Sequence, residues 1–228
     1  MIKLNKLIAT VLQAYEDYEF HIVFHSIHKF CVVDMSAFYL DVNKDLLYSE
    51  KADSPVRRSV QTVLYRIADA LTRLLTPILA FTTEEIYKYL PKPSGSPESV
   101  QLLDMPKFDP AIADDAIEER YEKFLFYRDK VSAALEEARR AKTIGHSLDA
   151  SVTLTPDEEA YQVLKPLEDK LAKLFITSKA ILNPPEKVDG LQVEVGPAPG
   201  QKCLRCWIHS EEVNADGLCP RCAAVLNK

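Results

Sequence analysis

Two C-x-x-C knuckles near the C-terminus, Cys203-Leu204-Arg205-Cys206 and Cys219-Pro220-Arg221-Cys222, constrain residues 201–228 more tightly than any other feature constrains its part of the chain. Each knuckle can aim two thiolates at one ion about 2.3 Å away, and the two together complete a tetrahedron. Trp207 to Leu218 separates them, a little less than the usual spacing of about 15 to 20 residues, with Asp216-Gly217 as the turn that brings the chain back. Four protein ligands leave no open coordination position. The implied cofactor is therefore one structural Zn2+, Cys203, Cys206, Cys219 and Cys222 holding together a module too small to build its own core. Disulfides or a redox pair are the other uses of the same residues, but in a cytosolic chain such paired knuckles favour metal. Cys31, the fifth cysteine, lies on an apolar helical face and reads as core.

Upstream, the apolar spacing is helical. Leu4, Leu7, Ile8, Val11, Leu12 and Tyr15 form one stripe, and Phe20, Val23, Phe24, Ile27, Phe30 and Cys31 a second. Ser54-Pro55 supplies an N-cap and a proline at the first helical position for a third helix, whose core face runs Val60, Val63, Leu64, Ile67, Leu71, Leu74 and Ile78 until Pro77 ends or kinks it. Thr82 and Glu85 have capping-box spacing for a short helix that Pro91 closes. Residues 1–96 thus read as a helical bundle. The run 91–97, with three prolines, one glycine and two serines, reads as a linker and domain boundary.

Residues 97–196 read as a long helix plus a small α+β domain. The helix is expected over about 114–143, with Ile117, Tyr121, Phe124, Val131, Leu135 and Ala138 inward and Gly145 as its terminator. Val152 and Leu154, and then Leu191, Val193 and Val195, alternate with polar residues as half-buried strands; 175–182 offers a third strand, and Thr155-Pro156-Asp157 starts a helix between them. Gly196 to Gly200 reads as a hinge to the zinc module, residues 197–228. The fold class is mainly α, with a bundle, a junction domain and a zinc module.

The net charge of −6 requires any nucleic-acid affinity to be local. Residues 201–228 carry Lys202, Arg205, Arg221 and Lys228 against Glu211, Glu212 and Asp216, a net +1. Arg205 and Trp207 flank Cys206, a pairing suited to a phosphate or base edge plus base stacking, although Trp207 could equally pack over the metal site. Arg57-Arg58, and Arg139-Arg140 with Lys142, are further basic clusters that also fit a solvated helix face. His21, His25 and His28 share one helical face without the acidic companion of a metal motif, and Lys142 to His146 fits a capped helix end as well as a catalytic run. No phosphate cradle, Ser-His-Asp or Cys-His arrangement stands out, so the residues nominate no catalytic group. No run of about 18 apolar residues and no signal-peptide pattern occurs, so a cytoplasmic chain without membrane contact is expected. The chain opens directly inside a helical pattern, as a piece of something larger would.

Several segments together resemble the C-terminal part of bacterial-type isoleucyl-tRNA synthetases over essentially the whole length. They are Ala14-Tyr15-Glu16-Asp17-Tyr18, Phe38-Tyr39-Leu40-Asp41 with Lys44-Asp45 and Tyr48, Arg57 to Gln61, Leu75 to Ile78 through Glu84-Glu85-Ile86, Leu135 to Arg139 with Lys142 and Ile144-Gly145, and the four-cysteine module. The bundle alone is similar to that of the valyl, leucyl and methionyl relatives, and the terminal module points to isoleucine. The resemblance implies an anticodon-binding bundle, a junction domain and a zinc module that helps hold tRNA(Ile). It implies the four cysteines as ligands, with Arg205, Trp207, Arg57 and Arg58 as RNA-contact candidates. The H-I-G-H and K-M-S-K-S signatures are absent from these residues. ATP-dependent ligation of isoleucine is thus expected of a catalytic domain elsewhere in the synthetase polypeptide, the parent enzyme being monomeric. A zinc-dependent structural or protein-docking module without nucleic-acid readout is the alternative. A finger of this type also occurs in formamidopyrimidine-type DNA glycosylases, against which the helical bundle argues.

Overall fold

The computed structural model describes residues 1–227, so Lys228 lies outside the described residues. The chain divides into two compact units, residues 1–47 with 52–114 and residues 48–51 with 115–228. The division after Asp114 differs from the boundary expected at 96, because the proline-rich run is tied down. Tyr87 donates its hydroxyl to the Pro97 carbonyl at 2.9 Å, Ser99 donates to Glu84 at 2.7 Å, and Asn5 exchanges two 2.8 Å hydrogen bonds with the Asp109 backbone. The chain from 97 to 114 is therefore a strap on the first unit.

The first unit is helical: α1 (Ile2–Glu16), α2 (Phe20–Lys29), a π-helical stretch (Phe30–Leu40), α3 (Asp41–Ser49, whose last two residues belong to the second unit), α4 (Pro55–Leu75) and α5 (Ala80–Tyr89). Its core takes the stripes read from sequence, with Leu4, Leu7, Ile8 and Val11 of α1, Val23 and Ile27 of α2, and Ile67 and Leu74 of α4. The second stripe is narrower than expected. Phe24 is 60% exposed and its ring stacks on His28 instead, while His21, His25 and His28 all face solvent. Wide π-turns carry Phe30 and Met35, five residues apart, onto the same core. Pro77 does stop α4, which leaves Ile78 47% exposed and outside the core face predicted for it. The Thr82–Glu85 capping box does not form. The N-cap of α5 is Leu79, three residues earlier, and the buried Thr83 hydroxyl bonds back to the Leu79 carbonyl at 3.0 Å. Leu90 is extended, as a residue before proline must be, and ends α5.

In the second unit α6 (Asp115–Arg140) buries Phe124, Tyr127, Val131 and Leu135, leaving Ile117 exposed. Its terminator is Lys142 at φ +60°, not Gly145. The amides of Thr143 and Lys142 bond the Ala138 and Arg139 carbonyls, a Schellman cap. β1 (Ala150–Pro156), β2 (Lys179–Leu182) and β3 (Leu191–Pro197) form one sheet in the order β2-β1-β3, parallel on the first side and antiparallel on the second. The parallel pair needs a crossover, supplied by α7 (Glu158–Leu164), a 3-10 turn (Lys165–Lys170) and α8 (Leu171–Phe175). The expected strand over 175–182 is thus only its second half, because Phe175 ends α8 and stacks on Phe124 with ring centroids 5.8 Å apart. Asp157 starts α7 as predicted, its carboxylate accepting from Ala160 N at 2.8 Å. Central β1 alternates as read, with Ala150, Val152, Leu154 and Pro156 buried.

Candidate zinc and nucleic-acid site

After β3 the chain does not hinge. The Ala198 amide bonds the Asp149 carbonyl at 2.8 Å, and Gly200 turns at φ +84° so close to Ser210 that a Cβ would sit 2.3 Å from its carbonyl. That approach pairs β4 (Gln201–Lys202) antiparallel with β5 (His209–Ser210), and the first knuckle is the loop between them. Within it Cys203 N donates to Ile208 O and Trp207 N to Cys203 O, at 3.0 and 2.9 Å. The return runs through a turn closed by Asn214, whose side-chain oxygen accepts from Leu218 N at 2.9 Å, with Gly217 at φ +73° as the spacing had suggested. Cys219 is the N-cap of α9 (Pro220–Leu226), with Pro220 at its first position, and Cys222 lies one turn in.

These elements bring the four predicted sulfurs together. All four cysteines are buried and their sulfurs lie within 4.8 Å of one another; among the described residues this is the only such convergence of histidine, cysteine or acidic side chains. Cys206 and Cys219 sulfurs are 3.7 Å apart. That is nearly twice a disulfide bond, and it matches the edge of about 3.8 Å for a tetrahedron with zinc–sulfur bonds of about 2.3 Å. The donor set and spacing fit Zn2+. The fields at the sulfurs differ. Burial raises the Cys203 thiol, but the amides of Cys206, Cys219 and Arg205 outweigh it and hold its pKa at about 6, whereas burial pushes Cys206 and Cys219 up. Burial disfavours the thiolate at Cys206 and Cys219, a cost that a cation held among the sulfurs would offset. Among the described residues, the module's core holds only Leu218 besides the ligands, with Ile208 and Ala223 at its edge.

Asp149 anchors the module to the α+β sheet. Its carboxylate takes Lys202 Nζ at 2.9 Å, the His146 amide at 2.8 Å and His209 Nε2 at 3.3 Å. Lys202 above all, against the opposing effect of burial, holds this carboxyl below the ordinary aspartate value. Ser178 completes the anchor, accepting from His209 N at 2.8 Å and donating to the Leu148 carbonyl. No sequence pattern marks Asp149, Ser178 or His209, because their pairing depends on strand order.

Of the RNA-contact candidates, Trp207 projects outward. It is 56% exposed at φ +66°, with Lys202 Nζ 5.9 Å from its ring centroid, and Leu204 beside it is 74% exposed. Arg205 turns inward, donating to the Ser49 carbonyl at 2.6 Å and to the Cys222 sulfur at 3.5 Å. Arg57 and Arg58 stand on the first turn of α4, in the first unit, half-buried and exposed respectively.

Residues 1–154 match the family described as the anticodon-binding domain of tRNA ligase, and residues 200–225 match the zinc finger found in FPG and IleRS. Proteins named isoleucine–tRNA ligase are similar along the whole chain: that of Moorella thermoacetica is 50% identical over 243 residues, and that of Carboxydothermus hydrogenoformans 52% over 238. A third, from Desulforamulus reducens, is 48% identical over 241 residues. The chain spans 26% of the length of each of these relatives.

Proposed function

Because the chain belongs to the anticodon-binding domain family of tRNA ligases, we propose that it grips the anticodon end of tRNA(Ile) for an isoleucine–tRNA ligase whose catalytic domain lies elsewhere in a cytoplasmic, monomeric polypeptide. ATP is consumed only there. One structural Zn2+ on Cys203, Cys206, Cys219 and Cys222 shapes the module that meets the RNA. The observation that carries the reading is Trp207, an indole held outward in the left-handed backbone region on a rigid knuckle, with a lysine over its ring. A bulky residue adopts that region only when its surroundings impose it. An exposed ring so fixed is suited to stacking an unpaired base, while Lys202 beside it stays paired with Asp149. Arg58, exposed on α4, supplies a phosphate contact that positions without specifying.

Fluorescence anisotropy of the zinc-loaded chain with tRNA(Ile) and with an anticodon-swapped variant tests this. Discrimination between the two supports anticodon reading, and equal affinities sink it. Trp207→Ala, with metal content unchanged, should weaken tRNA(Ile) binding by about 1–3 kcal/mol, the usual worth of one aromatic–base stack. Unchanged binding would favour a purely structural or docking module, a reading that the inward course of Arg205 keeps in play.

A further inference from the structure

The last carbonyls of any helix lack partners within it, and those of α3 find theirs far away in sequence. Ser49, its final residue, is only 5% exposed. Water therefore has little access to that end, and a buried carbonyl without a donor is costly. The donor is Arg205. Its Nη1 lies 2.6 Å from Ser49 O and its Nη2 3.5 Å from Tyr48 O, across 156 and 157 positions of sequence. The same Nη1 is 3.5 Å from the Cys222 sulfur. Arg221, also on a knuckle, reaches Glu50 at 3.8 Å. Residues 48–51 belong to the second unit along with these arginines, so the whole contact lies within one unit.

We propose that Arg205 is a positioning residue that couples filling of the four-cysteine site to the order of segment 48–51, its guanidinium joining the Cys222 sulfur to the terminal carbonyls of α3. Cation at a helix C-terminus is the favourable sign, and planar guanidinium can serve two acceptors at once where an ammonium on a flexible stem serves them poorly. Arg205 sits between two ligands, Cys203 and Cys206, so its backbone is fixed only when both are held. Loss of the ion thus removes the fixed position of the guanidinium, and the end of α3 loses its cap. The inference does not depend on tRNA binding. It assigns Arg205 to the inside of the molecule, where the sequence alone placed it among RNA contacts.

Hydrogen exchange of the full chain, with metal content measured on the same samples, is the test. In zinc-loaded protein the amides of 47–50 should be protected. In Arg205→Ala they should exchange about tenfold faster or more, as expected for an end that opens locally, with trypsin cutting after Lys51 correspondingly faster and the β1–β3 amides unchanged. Arg205→Lys, which keeps the charge, should fall between the two; it decides the matter if Arg205→Ala also disturbs the sheet. Stripping the metal from the unaltered chain should bring 47–50 to the rate of Arg205→Ala. Full-zinc Arg205→Ala or Arg205→Lys with the parent's protection overturns the proposal, as does protection of 47–50 that survives metal removal. Purified chain that holds no zinc while Arg205 still protects 47–50 refutes the metal assignment and the coupling, and leaves Arg205 as a cap only.

Discussion

Lys142 shows how a single residue can carry a conformation that its type does not favour. It terminates α6 at φ +60° with its side chain in solvent, held there by the backbone hydrogen bonds of the Schellman cap. The left-handed region disfavours a side chain that has a Cβ, and glycine enters it freely. Lys142→Gly is therefore expected to stabilise the second unit by about 0.5–1 kcal/mol, the scale of backbone substitutions at compatible sites, read as a higher denaturation midpoint; a lower midpoint would mean that the lysine side chain contributes something the cap geometry hides. Ile176 at φ +58° caps α8 in the same way but is half-buried, so the same change there would also remove packing. Neither position could be read from sequence. Gly145, three residues past Lys142, is the natural choice for α6, yet it serves Asp149 instead, where a Cβ would come 3.2 Å from the carboxylate.

At the scale of elements, what was legible had a local cause. Apolar spacing placed α1 and α4, Asp157 started α7, Leu90 before Pro91 ended α5, and strict alternation placed β1 and β3. The two knuckles were legible because ligand spacing is itself a geometric instruction. The failures share a different cause, since they needed partners distant in sequence. Gly196 to Gly200 has a hinge's composition, but the Asp149 carbonyl and the Ser210 backbone pin it. Phe24 falls on the apolar period of α2, yet the core is already filled by Val23 and Ile27. The anchor between β1 and the β4–β5 hairpin belongs to this class and can be tested. The carboxyl of Asp149 lies below its ordinary value, chiefly through Lys202, so its contribution is complete above about pH 4 and is lost only as acid protonates it in the folded state. Asp149→Asn should lower the stability of the zinc-loaded second unit by about 1 kcal/mol, discounted for partial exposure of the pair. The difference between the two proteins should be constant from pH 8 to about pH 5. Denaturation midpoints at several pH values check this, and a difference that changes between about pH 6 and 7 would place the anchor on an imidazole instead.

For the molecule as a whole, the two units rest on different kinds of stabilisation. The first has a continuous core contributed by α1, α2, the π-helical stretch and α4, and the three-stranded sheet of the second is backed by α6 and α8 through Phe124, Leu171 and Phe175. The terminal module has four thiols around one buried leucine, too little apolar surface to offset the entropy of ordering some 25 residues. Removing the ion should therefore unfold residues 201–226 and leave both larger cores intact. Thiol titration makes the expectation sharp, because the chain has five cysteines and only Cys31 lies outside the cluster. Half-buried Cys31, its thiol pushed up by burial, should react slowly or not at all in the folded chain. Before chelation at most this one thiol should be accessible; after chelation the four ligand thiols should react rapidly, while the far-ultraviolet helix signal changes little because α9 is only seven residues long. Readdition of zinc should reverse the change. Rapid reaction of all four ligand cysteines before chelation would remove the metal from the account, and collapse of the helix signal on chelation would mean that the ion supports far more of the chain than its module.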